Sequence, residues 1–245
     1  PRLVSNDINI GVREFEVDRL AISAAGIDPD SEYARSLSQE QIKIYKISFH
    51  GKQKYIRDVY IPTRDRVLPN ASKSLKAMMT AHTLTEGFSP GTMSQRTNNP
   101  GNIGNKTGPK GVGKRTCYAT LEDGIRKQYQ HYLAVASGKE TMYKIGSARD
   151  GVGLAVPPAH RLFEVEQSLT VPGSFRFIYD GSMWQYLYIY SPEVTEKRRG
   201  YLAYVLSYLK SEGIEATKDT KVGEFVSGET TIQTPPTVPC SENVW

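Results

Sequence analysis

At 245 residues the chain has room for one generous domain, or for a core domain with substantial extensions, and 38% hydrophobic against 23% charged residues is an ordinary globular balance. No apolar run approaches the roughly 20 residues that a membrane-spanning helix needs, so no membrane span is expected. The excess of 31 Lys and Arg over 26 Asp and Glu gives +5, a mild charge that does not choose between teichoic acids, phospholipid headgroups and nucleic acids as partners.

The chain opens with PRLVSNDINIGVREFEV, in which no basic stretch precedes an apolar one, so no secretory signal is read. Residues 1–36 mix short apolar clusters with turn formers such as Gly26-Ile27-Asp28-Pro29 and show no sustained period, which predicts an arm or docking segment. From Gln41 the residues Ile42, Ile44, Tyr45, Ile47 and Phe49, then His50-Gly51-Lys52, then Tyr55, Ile56, Val59 and Tyr60 predict a β-hairpin about a glycine-containing turn. Residues 1–68 are therefore expected to form an N-terminal arm and hairpin used for docking or assembly.

A helix is predicted from Pro69-Asn70, with Asn70 as its cap. Its apolar stripe is Leu75, Met78, Met79 and His82, and four residues further lies Glu86, just before Gly87 stops the helix. Glu86 is thus expected on the inner face. Burial disfavours a charged carboxylate, so such a group is suited to donating a proton near neutrality, as a general acid must. Between Ser89 and Lys114, glycine, proline and asparagine recur (SPGT, NNPGNIGN, TGPKGVGK) and leave little room for regular structure.

A second helix is predicted from Leu121, capped by Thr120, with Glu122 and Asp123 favouring its positive end and a stripe of Leu121, Ile125, Tyr129, Tyr132 and Ala136. SFRFIYDGSMWQYLYIY predicts a strand, an Asp180-Gly181 turn and a second strand. A third helix follows Ser191-Pro192-Glu193 and turns Tyr201, Tyr204, Val205, Tyr208 and Leu209 inward. After Gly213 the composition drifts to Thr, Pro, Gly and Ser, and residues 214–245 are expected to be an extended or disordered tail, or a strap bound by a partner.

Cys117 and Cys240 lie far apart, one of them in that tail, so no disulfide is expected. His50, His82, His131 and His160 are scattered without metal spacing, and His82 reads as a core residue. Gly111-Val112-Gly113-Lys114 lacks the Ser or Thr and the preceding strand of a phosphate loop. Neither a metal nor a cofactor is expected.

Glu86-Gly87-Phe88, then Pro90-Gly91-Thr92, Ser94, Arg96 and Asn98-Asn99-Pro100-Gly101-Asn102-Ile103, resemble the lysozyme-like superfamily, in particular bacterial and phage muramidases and lytic transglycosylases. Tyr118 to Ile125 is similar to the F-x-T-x-x-D-G start of that family's next helix, with Tyr118 where Phe is usual. Tyr190-Ser191-Pro192-Glu193 with Tyr201 resembles its late helix, although Thr195-Glu196-Lys197 lacks the Asn run of many relatives. The matches fall in the family's order over roughly residues 70–212.

The resemblance implies an α+β, mainly α fold: a lysozyme-like helical core in a catalytic domain at 69–213, preceded by the hairpin and flanked by arms. It implies that Glu86 is catalytic and protonates the bridging oxygen between N-acetylmuramic acid and N-acetylglucosamine. Asn98, Asn99 and Asn102 would offer amides to the sugar, Ser94 and Gln95 would line its sites, and Tyr118 and Tyr190 would stack on it; each asparagine can equally cap its own turn, and each tyrosine can pack in the core.

Glu122 or Asp123 could be the second carboxylate of a two-carboxylate hydrolase. First-turn acids explain both, which favours a single-glutamate mechanism. With its arms, the chain is expected to be a phage virion or tail component that opens the cell wall, with peptidoglycan and virion or tail proteins as partners, acting in the host periplasm or wall. A structural virion protein keeping the fold without activity is the rival expectation. A nucleic-acid binder, resting on +5 and clusters such as Lys197-Arg198-Arg199, ranks last.

Overall fold

The computed structural model describes residues 17–25, 27–104, 115–136, 165–167, 175–177, 181–183, 186–187 and 200–241. Within them the chain is mainly helical. In order come α1 (described over 17–24), α2 (Glu32–Arg35), α3 (Gln39–Tyr55), a π turn (Ile56–Tyr60), α4 (Ile61–Val67), α5 (Lys73–Thr85) and α6 (Met93–Arg96). Helix α7 (Leu121–Ala136), strands β1 (Val165–Gln167) and β2 (Phe175–Phe177), α8 (Gly200–Ser211) and α9 (Val222–Phe225) follow.

Residues 42–60, expected as a hairpin, are helical instead. Ser38 and Gln41 form a reciprocal capping box, Ser38 Oγ accepting from Gln41 N at 3.2 Å and Gln41 Oε1 from Ser38 N at 2.8 Å, which satisfies two donors at the start of α3. The inner face then recurs at helical intervals of four and seven residues through Tyr45, Phe49, Ile56 and Tyr60. The apparent alternation came from Ile44 and Ile47, which are 60% and 64% exposed. Pro62, near the start of α4, has no N–H to give to the preceding turn. There the helix opens into the π turn, with Ile61 N donating to Ile56 O.

Helix α5 is the centre of the core. Its cap is Ser72 rather than Asn70, with Ser72 Oγ accepting from Leu75 N at 3.2 Å. Leu75, Met78 and Met79 are wholly buried, each contributing roughly 1.5–3 kcal/mol of transfer free energy. Helix α8 packs against α5, bringing Tyr204, Val205 and Leu209 to the core, with Tyr201 and Tyr208 half-buried. A buried polar link joins three elements: Tyr60 OH donates to Gln128 Oε1 at 2.7 Å, and Gln128 Nε2 donates to Met79 O at 3.2 Å and Thr83 Oγ1 at 2.9 Å.

Strand β2 lies where a strand is expected, but its partner is upstream: β1 and β2 are antiparallel, with Val165 opposite Phe177. Met183, Tyr186 and Leu187, expected in a strand after the Asp180-Gly181 turn, are helical and buried, and their spacing of three and four sets all three into the core. Residues 17–24, expected in an aperiodic arm, form α1 instead and set Ala21 and Ala24 into the core. Asp180, the start of the third helix at Ser191-Pro192-Glu193, residues 1–16 and 26 of the N-terminal arm and residues 105–114 lie outside the described residues.

The C-terminal stretch is not a free tail over 214–241. Helix α9 places Val222 and Phe225 in the core against α5 and α7, and Val222 N donates to Gly181 O at 2.8 Å. Beyond it Glu229 Oε1 accepts from Ser72 N at 2.7 Å, Glu229 Oε2 from Tyr129 OH at 2.9 Å, and Ile232 O from Gln130 Nε2. Val238 N donates to Cys117 O at 2.9 Å, and Cys117 and Cys240 form a disulfide, contrary to expectation. The composition of this stretch could not order it alone; the helices beneath it supply the apolar surface and hydrogen-bond partners that do.

Candidate active site

Glu86 is the C-cap of α5. Gly87, at φ 74°, takes the left-handed conformation that lets the chain leave the helix, with Gly87 N donating to Leu84 O at 3.2 Å and Phe88 N to Thr83 O at 3.3 Å. This closure leaves the Glu86 side chain on the inner side of the turn, 14% exposed. The helical spacing of the sequence therefore places it correctly: inward, at the edge of a glycine-rich loop.

The loop is held by its own amides. Asn99 is buried; its Nδ2 donates to Ile103 O at 3.0 Å and Thr116 O at 3.1 Å, while its Oδ1 accepts from Ile103 N at 2.9 Å. Asn98 Nδ2 donates to Tyr118 O at 3.0 Å and Ala119 O at 3.2 Å. Both Asn98 and Asn102 have positive φ, 51° and 50°, a region in which asparagine is among the few non-glycine residues at ease. These amides fix the turn, and Asn102 reaches beyond it. Its Nδ2 lies 2.8 Å from Glu86 Oε2 and 3.4 Å from Glu86 O.

The other candidates do not join this contact in the hydrogen bonds described. Ser94 is buried with its Oγ 3.2 Å from Thr92 Oγ1, and Gln95 Oε1 accepts from Gly91 N at 3.3 Å. Tyr118 is buried, and its backbone N donates to Thr97 O at 3.0 Å. Tyr190 lies outside the described residues. Glu122 is paired with Arg66 at 2.6 Å and Asp123 with Arg126 at 3.1 Å, and Thr120 Oγ1 accepts from Asp123 N, as first-turn acids and a helix cap would be placed.

Two further groups approach Glu86. His82, one turn earlier on α5, has its Nε2 3.9 Å from Glu86 Oε1, a separation that makes an ion pair only with a protonated ring. Burial, and then the neighbouring His131, pull its pKa down to about 3, so the imidazole is neutral. Its Nδ1 lies 2.7 Å from Tyr132 OH. On the far side Tyr186 OH lies 3.0 Å from His131 Nε2, and the Tyr132 and Tyr186 rings are 5.7 Å apart. Burial holds Tyr132 well above the ordinary phenol range, with the charge of Glu86 among the lesser causes. Lys52 comes from α3: a Cβ built on Gly87 would stand 3.6 Å from its Nζ.

Lys52, expected in a turn, and Gly124, the glycine of the D-G pair that opens α7, are not among the site residues the sequence suggests, although Lys52 left a signal. Lys52 continues the inner stripe of α3, three residues after Phe49 and four before Ile56, and reading 50–52 as a turn concealed it. Gly124 is where the loop crosses α7; a Cβ there would lie 1.8 Å from Asn98 O and 2.9 Å from Pro100 Cδ. Among the described residues no group of His, Cys, Asp and Glu is arranged to hold a metal. No protein-family model, curated protein or solved structure matches the chain.

Proposed function

We propose that the chain cleaves the glycan strands of peptidoglycan, as a muramidase or lytic transglycosylase with a lysozyme-like helical core, and that Glu86 is its acid/base. The observation that carries this reading is the Glu86–Asn102 contact: a largely buried carboxylate at the end of a core helix, oriented by a side chain of the NNPGNI loop. The sequence resemblance supplies the substrate. The Cys117–Cys240 disulfide agrees with an oxidising site of action outside the cytoplasm.

In this mechanism Asn102 occupies Oε2, so Oε1 carries the proton. Glu86 gives that proton to the bridging oxygen as the glycosidic bond breaks and becomes a carboxylate. It then takes a proton from the attacking hydroxyl, either the muramic 6-hydroxyl, giving an anhydro end, or water, giving a reducing end. Glu122 and Asp123, engaged with Arg66 and Arg126, are not needed as a second carboxylate. The proposed setting is a phage virion or tail component; residues 214–241, fastened to their own core, supply no free arm for it.

The closure of the loop by its own amides favours a second reading, a structural protein that keeps the fold without activity. Purified sacculi separate the two. Wild-type protein is expected to release muropeptides and Glu86→Gln to release them about a thousandfold more slowly. No release by wild type, or equal release by both, overturns the role of Glu86. Mass spectrometry of the released ends distinguishes anhydro from reducing products.

A further inference from the structure

We infer that Lys52 is the counter-charge of Glu86: from α3, its ammonium favours the carboxylate over the neutral acid and so sets the pH at which Glu86 can carry a proton. The inference rests on the reading of Glu86 as acid/base, and its first test does not depend on catalysis.

The geometry is specific. Lys52 lies on the inner stripe of α3 between Phe49 and Ile56, and its stem passes over the turn that ends α5. The Cβ position of Gly87, the residue next to Glu86, lies 3.6 Å from Nζ and 3.8 Å from Cε, ordinary contact distances that set the ammonium beside the turn. Burial lowers the proton affinity of Lys52 and the charge of Glu86 raises it, the attraction expected of a cation and an anion sharing one partly dry site.

The charged and titratable side chains described facing Glu86 come from three helices. His82 on α5 is neutral, Tyr132 on α7 is neutral because burial holds its proton, and Lys52 on α3 is the cation. The loop adds Asn102, which donates a hydrogen bond to Oε2 and so also favours the carboxylate. Burial of the Glu86 side chain acts in the opposite sense, favouring the neutral acid. An acid catalyst tuned in this way works at lower pH than burial alone would set, because its activity is lost as pH rises through the carboxyl's own midpoint.

Lys52 is a positioning residue in this account, since it acts through Glu86. The test is a carboxyl titration of the full chain with 13C-labelled glutamate, the Glu86 signal assigned by its absence in Glu86→Gln. Lys52→Met is expected to make Glu86 bind its proton about tenfold more tightly. Lys52→Arg, which keeps the charge, is expected to leave the midpoint near the wild-type value. An unmoved midpoint in Lys52→Met, or an equal rise in both variants, overturns the inference and assigns Lys52 to packing. In the sacculus assay the falling limb of the pH profile is expected to move to higher pH in Lys52→Met and to stay in Lys52→Arg. A titration that behaves as expected in a protein that releases no muropeptides removes the proposed function and leaves the Lys52–Glu86 coupling standing.

Discussion

The Asn102 side-chain amide lies 2.8 Å from Glu86 Oε2, so a loop residue sixteen positions downstream orients the carboxylate that caps α5. Asn102 also sits at φ 50°, where an alanine would be strained and a glycine would not. Asn102→Gly thus deletes the amide while keeping the turn. Its unfolding midpoint in urea is expected to stay close to wild type, while sacculus cleavage falls by about tenfold to a hundredfold, the range for one hydrogen bond to a charged group. Undiminished cleavage by a folded Asn102→Gly would separate Asn102 from the chemistry.

Gly124 gives a prediction whose sign is informative. On an open helix surface, Gly to Ala stabilises by roughly 0.5–1 kcal/mol. Here the added Cβ would stand 1.8 Å from Asn98 O, a backbone atom, and the loop must lift from α7. Gly124→Ala is expected to lower the unfolding free energy by about 3 kcal/mol, at the upper end for overpacking. A more stable Gly124→Ala variant would show that the loop does not rest on α7.

His82 makes stability depend on pH. Its pKa is lowered from 6.5 to about 3 in the folded chain, so between those values the unfolded chain binds a proton that the folded chain refuses. This contribution is fully present above 6.5, is lost as pH falls toward about 3, and then changes no further. His82→Gln, which cannot titrate, is expected to flatten the acid side of the stability profile by a few kcal/mol, read from urea unfolding at a series of pH values. Parallel acid slopes in the two proteins would count against a buried neutral His82.

The disulfide spans 123 residues. In the chain-entropy description a loop of that length restricts the unfolded chain enough to add about 5 kcal/mol of stability. The double variant Cys117→Ser, Cys240→Ser is expected to lose that amount in denaturant unfolding without reductant and to become open to proteolysis beyond residue 226. Identical unfolding curves with and without the bond would contradict this.

Local signals carried the parts of the fold that the sequence predicts well. Thr120, Glu122 and Asp123 mark the start of α7 because a cap and first-turn acids act within a few residues, and the stripe from Leu75 to His82 fixes which way Glu86 points because 3.6-residue geometry continues through it. The same logic was available at Ser38 and Gln41, but two exposed isoleucines disguised the period of α3, and with it the inward aim of Lys52. Residues 214–241 were opaque for a different reason. Their order depends on Ser72, Tyr129 and Cys117, about 100 residues or more away in sequence, and composition contains no record of such partners.

The bond between Cys117 and Cys240 also fixes a sequence of events in the life of the chain. Cys117 flanks the loop that presents Asn102, and its partner is made 123 residues later. At the usual pace of synthesis that interval is about ten seconds. Throughout it the neighbourhood of the site carries a free thiol and lacks its clasp. Closure of the site's surroundings therefore waits for the synthesis of residue 240, and it requires an oxidant to meet the chain after that residue has emerged.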